Sequence, residues 1–343
     1  MTANQGRASK LACLAGCVLL LAASCARAQG PVTSRLQWPP APAPARIEFE
    51  HSIRRPVDAG IQRGWFTRVA DWLFGEEEWR LQRPSAVVRQ EGVLYVADPG
   101  HKGVHRLDPV RARHDLVRGP DGMALPSPVG LAAGPGQQVL IADSALGQIF
   151  VLGPHDAQAR ALPLTRPVQQ PTGIAYSAAR EEIAVVDTAA HQIQVYSTKG
   201  QWLRTVGKRG KGEGEFNYPT YIALAPNGQW VVTDALNFRI QVLDPDGTCV
   251  RMFGRQGDGS GDFGRHKGVA VDAHAHLYVA DGLFSAIQVF DMQGQFLLTL
   301  GSLGRAEGEF WLPMGVSIDG PDLYVADSAN QRVQVFRLVE ASP

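Results

Sequence analysis

The stretch Gly207 to Phe216, GKRGKGEGEF, sets three basic residues among closely spaced glycines, the residue types of a phosphate cradle. Such a cradle needs glycines that let backbone N–H groups converge, a helix N-terminus to add its dipole, and usually a lysine followed by Ser or Thr. No helical pattern follows this stretch, and Lys211 is followed by Gly212. The stretch also has copies, GRQGDGSGDF from Gly254 and GSLGRAEGEF from Gly301, each 47 residues further on. Their shared frame is G-x-x-G-x-x-x-G-(E/D)-F, and the charges sit at its variable positions. The frame reads as a connection in which glycine takes positive φ at low cost and the phenylalanine plugs between repeating units. Asp258 and Asp262 of the middle copy offer two carboxylates, too few oxygens for a calcium site.

Aspartates form the second chemical pattern. Strand-like runs end at Asp98, Asp143, Asp187, Asp234, Asp281 and Asp327, with steps of 45, 44, 47, 47 and 46 residues. Carboxylates around a ring can bind metal or trade protons, but a residue that recurs in every unit is read first as architecture. Each accepts hydrogen bonds from backbone N–H groups of the turn that follows. Histidines do not repeat in this way: His266 stands alone at its position, His101 and His191 are out of step with each other in their turns, and His274 and His276 fall in a hairpin turn. No G-x-S-x-G is present, and Cys249 lies in a strand with no histidine nearby. No catalytic residue, metal ligand or cofactor is assigned on this reading.

The elements that would position these residues come from the repeat itself. Each unit opens with proline and an apolar strand (PTGIAY from Pro171, PTYIAL from Pro219), turns into the strand that ends in aspartate, and continues into a third strand with period-2 alternation, such as FRIQVL to Leu243. Turn signals such as Asp244 to Gly247 lead to a fourth strand. Four short antiparallel strands in about 45 residues describe one propeller blade. Six units predict an all-β, six-bladed β-propeller of four-stranded antiparallel blades over residues 84–343. The last unit stops after its third strand, and residues 46–53 alternate as a strand, so the ring is expected to close with 46–53 beside the C-terminal strand.

The pattern P-x-G-(I/V)-A, (L/V)-Y-V-A-D, N-x-R-(I/V)-Q-V-F resembles the NHL repeat family of six-bladed propellers. It is carried best by Asn237, Arg239 and Gln241 in unit four and by Asn330, Arg332 and Gln334 in unit six. Units one and two lack the Asn and Arg. Enzymes of similar architecture include a zinc lyase and calcium-dependent lactonases, so the resemblance leaves a metal-dependent hydrolase or lyase using the central channel as the alternative to a binding protein.

Ahead of the repeats, Arg7 and Lys10 precede the apolar run Leu11 to Ala23, and Ala26-Arg27-Ala28 has the form of a cleavage site. Residues 1–28 therefore read as an export signal, with the run shorter than the ~20 residues that span a bilayer. Leu21 to Cys25 resembles a lipobox, making Cys25 a lipidation candidate, and the prolines of 29–45 suit a spacer. Cleavage leaves Cys249 without a partner cysteine, so no internal disulfide is expected. Residues 62–75 predict a short amphipathic helix whose apolar face carries Trp65, Phe66, Val69 and Trp72, either packed on the propeller or meeting a partner or membrane surface.

With 33 basic and 33 acidic residues there is no net field to hold a polyanion, which argues against nucleic acid. The repeat resemblance, the export signal and the lack of a catalytic constellation together predict a non-enzymatic binding or scaffold propeller of the periplasm or a membrane-anchored lipoprotein, monomeric, with a protein, peptide or glycan partner. The partner-binding rim is expected where single blades break the repeat: Tyr221 in place of glycine, His266 in place of proline with Lys267 after it, and His101, Asn237, Phe284 and Asn330 at the third position of the turn after the aspartate.

Overall fold

The computed structural model describes residues 36–61 and 79–339. The expected export signal, the lipidation candidate Cys25 and the helix expected over 62–75 lie outside the described residues. Leu36–Pro343 form one compact unit. No helix among the described residues is long and apolar enough to cross a membrane.

Five four-stranded antiparallel sheets and a sixth, longer one follow one another along the chain. Blade one comprises Ala86–Gln90, Val93–Asp98, Gly103–Asp108 and Arg113–Val117. Blade four is Pro219–Leu224, Trp230–Asp234, Arg239–Leu243 and Cys249–Phe253; blade five is His266–Val271, Leu277–Asp281, Ala286–Phe290 and Phe296–Leu300. The first strands touch in ring order, and that of blade six, Pro313–Asp319, touches that of blade one. Six blades thus close into a β-propeller.

Burial along a blade follows from this stacking. The second and third strands have a neighbouring blade against each face, so runs such as Trp230–Asp234 are buried throughout. The outermost strand, Cys249–Phe253, is largely exposed. Six apolar clusters, one in each seam between adjacent blades, make up the core. At the centre the innermost strands run nearly in contact. A Cβ on Gly173 would stand 2.7 Å from the Cα of Tyr221 in the next blade, and one on Gly268 would stand 2.4 Å from the Met314 carbonyl oxygen. Glycine recurs there because two backbones meet.

Closure uses the two ends of the described chain. Ile47–Ile53 pairs antiparallel with Arg332–Leu338, with Ile47 opposite Leu338 and Ile53 opposite Val333. Ile47 and Ile53 are buried, and Phe49 packs edge-on against Phe336 at 5.7 Å. The proline-rich stretch is not all spacer: Gln37–Trp38 adds a fifth strand to this blade, and the Trp38 ring also meets Phe336 edge-on at 5.7 Å.

Candidate functional site

The six aspartates are fasteners. Each is fully or almost fully buried. Each carboxylate accepts N–H groups from the loop that enters the blade's first strand. Those of Asp98, Asp143 and Asp281 also take backbone N–H groups of the turn that follows, whereas those of Asp187, Asp234 and Asp327 take none. Asp281 takes Gly264 and Arg265 from that loop and Leu283 from the turn. Asp98 takes Gln82, Arg83 and Gly100 in the same way. Where the turn and the loop share a carboxylate, they are tied into one rim.

In blades four and six the NHL residues complete the fastener. Arg239 Nε donates to Asp234 Oδ2 at 2.8 Å, and Asn237 and Gln241 donate to the same oxygen. The rest of the guanidinium reaches into the glycine-rich loop, donating to the carbonyls of Lys211, Gly212 and Glu215. GKRGKGEGEF therefore turns carbonyls inward onto a cation of its own blade. That polarity is the reverse of a phosphate cradle. Its Phe216, like Phe263 and Phe310 in the copies, is fully buried.

The residues expected at the rim fall into three groups. Asn237 and Asn330 have their amides committed inside the blade, to Gly210 and Gly304 carbonyls as well as to the aspartates. His266 is buried beneath the rim: its ring lies tilted against Phe263 with centroids 4.6 Å apart, and Nε2 donates to the Arg239 carbonyl at 3.1 Å. Lys267 is half-buried beside it, and desolvation, then Arg265, holds its ammonium below the usual range. Phe284 is half-buried in its turn. Tyr221 crosses the centre of the ring, and its hydroxyl donates to the carbonyl of Ser85 in blade one, on the opposite side, at 3.3 Å. Burial pushes its phenol above the ordinary range.

Beside the exposed charges of the glycine-rich loops (Lys208, Arg209, Lys211, Arg255), the rim displays apolar side chains. Tyr218, Leu236, Leu283 and Trp311 are exposed on the loops and turns of blades four to six, and Leu303 lies 68% exposed in the glycine-rich loop before blade six. The Leu236 N–H bonds to the Asn217 carbonyl and that of Ala329 to the Trp311 carbonyl, so in blades four and six the turn and the entering loop meet at one edge of the blade. Arg305 lies over the Trp311 ring at 4.6 Å. Leu236 and Leu283 occupy the second turn position, one before the position singled out from the sequence. A leucine where a turn favours Asn, Asp or Gly was the signal available.

Blade one departs from the others. His101 Nδ1 lies 2.9 Å from Asp98 Oδ2, and His105 Nε2 lies 3.7 Å from the same atom. His105 Nδ1 is 3.3 Å from His114 Nε2, and the Trp79 ring covers all three imidazoles at 3.8 to 5.0 Å. His105 is fully buried; desolvation, then His114 and His101, holds its imidazole well below the usual range. Because the three histidines belong to one blade, they do not show as a match between corresponding positions of different blades.

His266 makes stability depend on pH. Burial outweighs the nearby Asp281 and takes its imidazole from 6.5 down to about 4. A histidine depressed on folding contributes stability that is complete above the unfolded value and is lost as pH falls from about 6.5 towards about 4. Between pH 7 and 4.5 the loss is about 2–3 kcal/mol, and buried His105 acts in the same direction. Urea midpoints over that range should fall for the wild type and fall less for His266→Gln; equal slopes would remove His266 as the cause.

Comparison with known proteins agrees with the fold. The NHL repeat matches residues 310–336. No curated protein matches the sequence. Among solved structures, virginiamycin B lyase from Staphylococcus aureus is similar over 77% of this chain and 84% of its own, at 13% identity and a TM-score of 0.55. A protein of unknown function from Bacteroides thetaiotaomicron is similar over 75% and 70%, at 13% identity and a TM-score of 0.58. Hydrazine synthase from Kuenenia stuttgartiensis is similar over 77% and 79%, at 14% identity and a TM-score of 0.54. The repeat, the six sheets and their circular packing agree: the chain is a six-bladed β-propeller that carries an NHL repeat.

Proposed function

We propose that this chain is an exported, non-enzymatic binding propeller of the cell envelope, held to a membrane by lipid on Cys25 or released after Ala28. Its rim of turns and inter-blade loops meets a protein or peptide. The observation that carries the reading is Tyr221. Its side chain occupies the centre of the ring, where a channel enzyme would need its substrate, while the rim at blades four to six displays Tyr218, Leu236, Leu283, Leu303 and Trp311. Apolar side chains grouped on one edge suit the desolvated centre of a protein interface. Tyr218 and Trp311 offer flat surfaces that a sugar could also use, but the three leucines of the patch supply none of the polar groups that sugar hydroxyls require.

The lyase among the structural neighbours raises the channel-enzyme alternative, but at 13% identity it speaks for the fold alone. Capture from envelope extracts tests the binding reading. A Tyr218→Ser, Leu236→Ser, Leu283→Ser variant should lose the partners of the wild-type protein at least tenfold. A control with Leu203→Ser, Val250→Ser and Leu297→Ser, exposed on the outer strands, should keep them. Undiminished capture by the first variant would place the interface elsewhere.

A further inference from the structure

Blade one carries a fastener without its cation. Counting from the aspartate, blade four has Asn237, Arg239 and Gln241 at the third, fifth and seventh positions, whereas blade one has His101, Gly103 and His105. In blades four and six the carboxylate is neutralised inside the protein by Arg239 at 2.8 Å and Arg332 at 2.7 Å. At the fifth position of blade one no side chain exists, and a Cβ would meet Leu116 Cδ1 and the Val117 carbonyl oxygen at 2.7 Å. Asp98 is nevertheless fully buried.

Two imidazoles take up that place. Asp98 Oδ2 has His101 Nδ1 at 2.9 Å and His105 Nε2 at 3.7 Å, and the three ligand atoms lie within 4.8 Å of one another. His105 Nε2 is buried and has no hydrogen-bond partner. With the proton on His105 Nδ1, directed at His114 Nε2, the Nε2 lone pair faces the Asp98 carboxylate. Two electron-rich atoms turned towards one another in a buried site call for a positive charge between them. Blades two, three and five also lack the arginine, but their third and seventh positions hold Leu146 and Phe150, Ala190 and Gln194, and Phe284 and Gln288, with no imidazole among them.

We propose that Asp98, His101 and His105 bind a divalent transition-metal ion of the zinc class, in the place a guanidinium fills in blades four and six. Bonds of about 2.0–2.2 Å in tetrahedral geometry separate neighbouring ligand atoms by roughly 3.3–3.6 Å. The observed 2.9 and 3.7 Å to Asp98 Oδ2 straddle that range, and the two imidazole nitrogens, within 4.8 Å of one another, would draw together by up to about 1.5 Å on binding. Two imidazoles and one carboxylate favour zinc-class ions over magnesium or calcium, which take oxygen ligands. His114, through its contact with His105 Nδ1, is a positioning residue that fixes the ligand's tautomer. Trp79 roofs the group, and His101, 18% exposed, marks the way in. The ion would pin the first turn of blade one to the loop entering that blade.

The test uses the full chain and a His101→Asn, His105→Gln variant, which carries blade four's residues at those positions and so should fold. Calorimetric titration with zinc chloride at pH 7 should show one ion per wild-type chain, and the melting midpoint should rise by about 5 °C at a hundredfold excess over Kd. Cobalt(II) should give the visible bands of a tetrahedral ion with nitrogen ligands. The variant should bind zinc at least a hundredfold more weakly, with a zinc-free melting midpoint close to the wild type's. The proposal is overturned if wild-type protein takes up no zinc at about 100 μM, if the variant binds it equally well, or if calcium or magnesium binds as tightly.

Discussion

Arg332→Met should lower the stability of the propeller by about 3–5 kcal/mol, read as a fall of roughly 10 °C in melting midpoint. Arg332 is fully buried, as is Asp327, and the two meet at 2.7 Å. Burial already holds the Asp327 carboxyl above its ordinary range despite the help of the Trp311 N–H, Asn330 and Arg332. Methionine fills a similar volume but leaves that carboxylate without its cation, and it strips the Ala306 and Glu309 carbonyls of the guanidinium donors they share. The cost arises from stranded polar groups more than from a lost attraction. Adding Asp327→Asn should therefore return part of the loss. Arg180→Met breaks a pair with 75% exposed Asp246 and should move stability far less, although Arg180 also touches Glu182. A loss below about 1 kcal/mol for Arg332→Met would mean that water reaches the site.

Deleting residues 46–53 should have a still larger effect. The strand Ile47–Ile53 supplies two buried isoleucines, and it covers Phe336 and the backbone edge of Arg332–Leu338. Ile47→Ala and Ile53→Ala should each cost about 2–5 kcal/mol. Loss of the whole strand removes both, unpairs the last strand and opens the seam between blades six and one, so unfolding should shift to much lower temperature and broaden. An unchanged melting curve would show that the ring holds without this closure.

The fold was legible because it is written six times. Pairing, burial and turns follow from a recurrence of 44 to 47 residues, and the unfinished sixth unit already called for a strand from outside the repeats. The site was harder to read for the same reason. A search for exceptions to the repeat finds Tyr221 and His266, but a linear pattern does not tell which way a side chain points. His266 turned into a seam and Tyr221 across the ring, while the asparagines that matched the family best are internal braces. His105 and His114 are nine residues apart on adjacent paired strands, and their approach depends on strand register, which a blade-by-blade comparison of positions leaves out.

The phenol of Tyr221 also bears on how the disc deforms. A closed ring of six wedges yields most easily by flattening, with one diameter shortening as another grows. A side chain rooted in blade four and seated against a blade-one carbonyl lies along one of those diameters, like a strut in a wheel. It keeps the two opposed blades at a set separation, and with them the spacing of the loops they carry. A surface assembled from several blades can hold its shape only if the wheel stays round.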